Sequence, residues 1–297
     1  MLSSLINLES AFTKFFREKT GFPNFKSRKN IVQSFSVPQH YEVDFVNNSI
    51  KLPKIKHPIK ARLHRKFEGK LKTATISVTS TGKFHISILV DDGKKLPNTQ
   101  TFDDETTLGI DVGITHFATL SDGKKIENPN YLKNSIDRMT VLQKRLSKKQ
   151  KGSANRNKAR LKVAKLHERI RNQRTDFLHK TTSKLISENQ AIAVETLNVN
   201  GMLKNHHLAQ AISDVSWSEF FRQLEYKAEW YGKILLKIGQ FEPSTKICNV
   251  CGHYKREMTL ADRKWECLEC DAMHDRDINA AINIKKFALQ NQNLLNI

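Results

Sequence analysis

Long apolar runs are missing from this 297-residue chain. None approaches the ~18 residues that a membrane-spanning helix needs, so no membrane partner is expected. The first residues, MLSSLINLESAFTKFF, lack the basic start, long apolar core and small-residue cleavage site of a secretion signal. Cysteine is scarce, and all four residues lie between Cys248 and Cys270. That excludes a disulfide framework spread over the fold and points to a metal site in a reducing, cytoplasmic setting. Acidic residues are short as well, 30 Asp and Glu against 50 Lys and Arg, giving a net charge of +20 and a pI near 9.8. Such an excess repels itself unless a polyanion neutralises it, and nucleic acid is the expected partner. What remains, 38% hydrophobic and 27% charged with no internal repeat, is a soluble globular composition on the polar side of average.

Taken along the chain, residues 2–19 predict an amphipathic helix with Leu5, Leu8, Phe12, Phe15 and Phe16 near one face. From Ile31 to Asp92 the pattern is strand-like, with a hairpin at Thr81-Gly82 and a basic segment, IKHPIKARLHRKFEGKLK, between strands. Residues 1–107 hold 18 Lys and Arg, some on strands that carry Phe35, Phe45, Phe67 and Phe84. This predicts a small β-barrel with a basic face for nucleic-acid backbone and stacked bases; any one phenylalanine taken alone reads more readily as core, and it is the aggregate charge that carries the expectation. After a polar linker, LGIDVGITHFATLSDG (108–123) predicts a strand bearing Asp111, a second strand, and a turn at Asp122-Gly123 into a third. Successive antiparallel strands with an acid in the first are the start of an RNase H-like α/β fold. Residues 133–188 predict two helices broken near Gly152, and 133–184 hold 17 Lys and Arg against Asp137, Glu168 and Asp176. AIAVE (191–195) reads as a buried strand, NVNGM as a turn, and 203–213 as a short helix or lid in which His206 and His207 are surface residues. Ser216–Gly232 predicts a helix opened by a Ser216/Glu219 capping box, with Trp217, Tyr226 and Trp230 as packing residues.

Two constellations carry chemistry. Cys248-x-x-Cys251 and Cys267-x-x-Cys270, 15 residues apart, have the spacing of a four-thiolate zinc ribbon, and four ligands leave no open catalytic position. Gly252 suits the first tight knuckle, and Asp271, which tolerates a left-handed backbone, stands where the second asks for glycine. Asp111, Glu195 and Asp277 are acids at the ends of apolar elements, 84 and 82 residues apart. Three carboxylates assembled by folding can hold two Mg²⁺ ions for phosphodiester hydrolysis. Asp275 competes with Asp277; Asp277 is expected to be the ligand, with Asp275 capping the helix behind it.

GIDVGITHFATLSDG, AVETLNVNGM, CNVCG with CLEC, and HDRDINAAINI stand in the order and spacing of the TnpB (OrfB) proteins of insertion sequences, RuvC-like nucleases similar to type V CRISPR effectors. GFPNFKSRKN, QSFSV, ISDVSWSEFFRQLEYKAEWYG and PSTKICNVCG extend the resemblance over nearly the whole chain. It implies a transposon-associated, RNA-guided DNA endonuclease that binds a guide RNA and cuts a double-stranded DNA target with Mg²⁺. By motif position, it makes Asp111, Glu195 and Asp277 the magnesium ligands and Cys248, Cys251, Cys267 and Cys270 the zinc ligands. The implied layout is 1–30 a remnant of a helical recognition region, 31–106 a wedge-like barrel, 107–244 and 274–297 a RuvC-like nuclease domain, and 245–273 an inserted zinc ribbon. Family members begin with a further strand and a longer helical portion, so an N-terminally truncated relative is expected. The competing readings are a non-cleaving RNA- or DNA-binding derivative and a guide-free transposase or resolvase.

Overall fold

The structure is a computed structural model that describes residues 2–25, 27, 33–259 and 261–295; Ile31 and Val32 of the first expected strand and most of KSRKN lie outside them. Two compact units emerge, Met1–Lys95 with Asn157–Lys165, and Leu96–Arg156 with Leu166–Ile297. Among the described residues no helix is long and apolar enough to cross a membrane.

The first unit opens with helix α1 (Leu2–Glu18), which forms where its 3–4 residue periodicity predicts. Its apolar face is largely left open: Leu5, Ile6, Leu8 and Phe16 are exposed, while Phe12 stacks on Phe16, Phe15 meets Phe16 edge-on, and Phe22 meets both Phe12 and Phe15 edge-on. The strands β1 (Gln33–Val37), β2 (Glu42–Asp44), β3 (Ser49–Lys51), β4 (Ile59–Lys60), β5 (Lys70–Val78) and β6 (Phe84–Asp91) pair antiparallel as two sheets, β1-β5-β6 and β2-β3-β4. They share one core of Val37, Tyr41, Ile50, Leu52 and Ala74. The Thr81-Gly82 hairpin joins β5 to β6 as expected, closed by Thr79 N donating to Lys83 O. Strand β4 falls inside what the sequence offers only as a basic segment. Phe45 and Phe67 pack on each other, whereas Phe35 and Phe84 are exposed.

In the second unit, β7 (Thr107–Val112), β8 (His116–Leu120) and β9 (Lys125–Glu127) form an antiparallel meander through the Asp122-Gly123 turn. The chain then passes through α2 (Ile136–Ser147) and α3 (Ala154–Glu188), with the predicted break at Gly152, to β10 (Ala191–Glu195). Three short helices follow: α4 (Val199–Met202), α5 (Ala209–Val215) and α6 (Trp217–Trp230). Strand β11 (Ile234–Ile238), a two-stranded ribbon of β12 (Lys264–Glu266) and β13 (Met273–Asp275), and α7 (Arg276–Leu295) complete it. The sheet order is β11-β10-β7-β8-β9, with β7, β10 and β11 parallel. Alternation along these strands serves two layers. Leu108, Ile110, Ile192 and Val194 face a core shared with Leu178, Leu185, Ile212, Phe220 and Leu224 from α3, α5 and α6. Ala191, Ala193, Leu236 and Ile238 face Ile284 and Ala288 of α7 on the other side. A bulge between His116 and Ala118 turns Phe117 into the first layer, edge-on to Phe177 and Phe220.

Three local expectations are corrected. Ser216 and Glu219 form no capping box: Ser216 is left-handed (φ 57°), its hydroxyl donates to Ser213 O, and Glu219 pairs with Arg222 and Gln223. The sharp α5–α6 corner needs that backbone, which takes the hydroxyl away from the helix end. Trp230 is not a packing residue but mostly exposed, its ring edge-on to Tyr226. NVNGM is a one-turn helix rather than a plain turn, capped by Asn198 Oδ1 accepting from Gly201 N.

Candidate functional site

The acids come together through strand register and helix seating. β10 lies beside β7 with Val194 opposite Ile110, so Glu195, one residue on, ends beside Asp111 on the same face. Helix α7 crosses that face against Gly109, where a Cβ would stand 2.0 Å from the carbonyl oxygen of Ala281 and 2.8 Å from Cβ of Lys285. Glycine is required there because backbone meets backbone. Two residues along a strand advance about 6.6 Å and four along a helix about 6 Å, so the step from Gly109 to Asp111 matches the step back from Ala281 to Asp277. Buried Thr119 is the cross-strand partner of Asp111.

The electrostatics register this convergence. The Asp111 carboxyl is pushed up to about 8, first by loss of water and then by the charges of Asp277 and Glu195, with Arg276 opposing. Burial alone raises Glu195 to about 7. Asp277 accepts from Nε and Nη2 of Arg276 at 3.1 and 3.0 Å through one oxygen and from Arg263 at 3.5 Å through the other. Asp275 takes the capping role: its Oδ1 accepts from the backbone N–H groups of Asp277 (3.1 Å) and Ile278 (3.2 Å), and its Oδ2 from Lys125 Nζ (2.7 Å). Desolvation works against the Asp275 charge, but Lys125 and the two N–H groups more than offset it and lower its pKa. Lys125 thus ties the start of α7 to the sheet.

Asp111 and Asp277 open on a cleft of about 530 Å³ whose wall includes Thr119, Lys246, Arg263 and Arg276. Glu195 is not part of that lining. An acidic floor under a basic rim can take a cation and an anion together. Sequence reasoning missed Arg263, Arg276 and Lys246, which look like any other member of a strongly basic chain.

The four cysteines form the second centre. Their sulfurs all lie within 4.8 Å of one another, with Cys248–Cys270 at 3.7 Å and Cys251–Cys267 at 3.5 Å. Tetrahedral Zn–S bonds of about 2.3 Å place sulfurs about 3.8 Å apart, so the donor set fits zinc. The two knuckles are built alike: Gly252 N donates to Cys248 O and Asp271 N to Cys267 O, with φ of 81° and 55°. Asp271 therefore does adopt the backbone that glycine usually supplies. Burial raises the Cys248 thiol, yet N–H groups of Cys251 and Val250 outweigh it and bring it down to about 7. His274 Nε2 sits 3.1 Å from Cys248 Sγ, its ring packed on Trp265.

The ribbon is fastened to α7 by the asparagines of INAAIN. Asn279 and Asn283, both buried, donate to Ile247 O at 2.8 and 2.6 Å; Asn283 also donates to Ser244 O at 2.8 Å, and Asn279 Oδ1 accepts from Asn249 N at 3.0 Å. Two asparagines four apart within the otherwise apolar stretch INAAINI are the signal that could have revealed this. His206 and His207 are exposed, as expected.

The site is thus an α/β sheet with clustered acids at the ends of two strands and a helix, joined to a ribbon whose four cysteines could hold a metal ion. The family described as "Probable transposase" (OrfB_IS605) matches residues 85–206, which hold Asp111 and Glu195; "Cas12f1-like, TNB domain" matches 217–284, which hold the cysteines and Asp277. A Streptomyces pristinaespiralis protein named "Putative RNA-guided DNA endonuclease" is 42% identical over 95% of this chain and 69% of its own length. From Escherichia coli K12, "Putative RNA-guided DNA endonuclease InsQ" is 34% identical over 95% of this chain and 72% of its own. The fold resembles that of a protein solved as the Cas12f1-sgRNA-target DNA complex, with TM-score 0.58 and 16% identity over 94% of this chain and 69% of that one. The chain belongs to the TnpB (OrfB) family.

Proposed function

We infer that the chain is an RNA-guided DNA endonuclease that hydrolyses phosphodiester bonds in a RuvC-like, RNase H-like domain, with Asp111, Glu195 and Asp277 as the divalent-metal ligands. The observation that carries this reading is the convergence of three carboxylates from β7, β10 and α7, where burial first and then the charges of Asp277 and Glu195 push the Asp111 carboxyl up to about 8. Such a cluster gains from a cation, and oxygen-only donors suit Mg²⁺. Two Mg²⁺ ions, when bound, supply an activated water and charge neutralisation at the leaving 3′-oxygen. Lys246, Arg263 and Arg276 orient the anionic strand at the cleft rim. Zinc at Cys248, Cys251, Cys267 and Cys270 is structural, keeping the ribbon on α7 and hence Asp277 in place. The names carried by the relatives support a guide RNA and a DNA target as partners.

In this reading β1–β6 form the wedge-like barrel, their two sheets packed over a common core, with α1 part of a helical recognition region. The barrel covers 31–106, the nuclease domain 107–244 and 274–297, and the ribbon 245–273. The test is purification followed by cleavage. The chain should retain a discrete RNA and cut a matching duplex only with Mg²⁺. RNA retention without cutting across varied target-flanking sequences would favour a binding derivative, and efficient guide-free strand transfer would favour a transposase.

A further inference from the structure

Outside the acid cleft, a second cavity of about 420 Å³ lies between the turn that starts α2 and the middle of α3. This volume is in the range of small-ligand sites. Its walls include Tyr131, Asn134, Ser135 and Arg138 from one side and Arg169 and Gln173 from the other. No carboxylate is among the lining residues. Two guanidinium groups from separate helices face one space, and among the described residues neither makes an ion pair with an acid. The neighbouring acids Asp137 and Glu168 lie on the same helices but do not line the cavity.

The wall is held rigidly from behind. Asp214, buried on α5, accepts from the backbone N–H groups of Leu132 (2.9 Å) and Lys133 (3.2 Å) and from Arg174 Nη2 (2.8 Å). That carboxylate fixes the turn carrying Tyr131, Asn134 and Ser135, and the Tyr131 ring is edge-on to Phe177 at 6.4 Å. Ser135, at the start of α2, makes no capping bond with its side chain. A preorganised space thus offers two cations, two amides, a hydroxyl and an aromatic ring.

We propose that this cavity binds one unstacked nucleotide of a nucleic-acid strand, Arg138 and Arg169 taking the phosphate and Tyr131, Asn134 and Gln173 the base. Guanidinium forks match phosphate oxygens, and an aromatic face with amides suits a base withdrawn from its stack. The site deepens the endonuclease reading and rests on it for its partner. It adds a fixed point for the strand on the basic helical pair, apart from the acid cleft.

The test is photocross-linking and binding with unstructured single strands carrying 5-iodouracil, one arm RNA and one DNA. The expected result is a cross-link to Tyr131 in at least one arm, which identifies the strand. Arg138→Ala and Arg169→Ala should each weaken binding about fivefold or more and lower the salt slope by about one ion. Both arginines are exposed, so melting temperatures should stay unchanged, and Lys144→Ala, on α2 but away from the cavity, should leave the Tyr131 cross-link intact. Wild-type binding with cross-links only elsewhere, or affinities unmoved by both arginine changes, would overturn the pocket while leaving the endonuclease reading standing. A wild-type chain that binds neither strand would overturn both.

Discussion

A carboxylate at Asp111 is stripped of water and repelled by two others, so folding without a divalent ion favours its protonated form. Its unfolded value is near 3.8 and its folded value near 8, so the folded chain binds the extra proton between them. Stability therefore falls as pH rises through that window, and Glu195, raised to about 7, adds to the fall. In chelator, the melting temperature should drop by about 5 °C from pH 5 to pH 8, and Asp111→Asn should flatten most of the drop. Mg²⁺ should restore the wild type at pH 8 but not the variant. A flat wild-type profile would mean the acids do not share one site. The acids themselves were legible in the sequence, because a lone acid at the end of an apolar run is conspicuous. Their cationic neighbours were not: Arg263, Arg276 and Lys246 differ from the other basic residues only by where folding puts them.

At the scale of elements, α7 is the piece on which both centres depend. It meets β7 backbone to backbone at Gly109, and Gly109→Ala should cost about 1–3 kcal/mol, seen as a lower melting temperature. If the variant melts like the wild type, the close seating is wrong. The ribbon is tied to the same helix through Asn279 and Asn283, so stripping zinc should loosen more than the knuckles. Hydrogen exchange should rise about tenfold or more over 245–275 and extend into the first turns of α7. Protection lost only at the knuckles would show that the asparagines do not transmit it. The sheet, the paired basic helices and the ribbon could all be read from periodicity and cysteine spacing, since those patterns are local. The Ser216 corner could not, because a serine with glutamate three residues on is the ordinary sign of a cap, and only the α5–α6 packing forces the left-handed turn. Nor could the parallel register of β10 on β7, which no local pattern encodes.

For the whole molecule, the net charge of +20 makes binding to nucleic acid strongly dependent on salt. Raising monovalent salt from about 50 to 200 mM should weaken RNA binding by about 10³-fold or more, and a shallow dependence would mean the basic helical pair is only a solvated surface. Charge accounts for holding a strand, whereas the proposed cutting needs the three acids to act as a unit. The most direct test is single-turnover cleavage of a matched DNA duplex by the RNA-loaded chain in Mg²⁺, comparing the wild type with Asp111→Asn, Glu195→Gln and Asp277→Asn. Each variant should retain its RNA and lose cutting by about 10³-fold or more, with double variants no worse than singles. Cutting that persists near the wild-type rate in any one of the three would contradict a shared site.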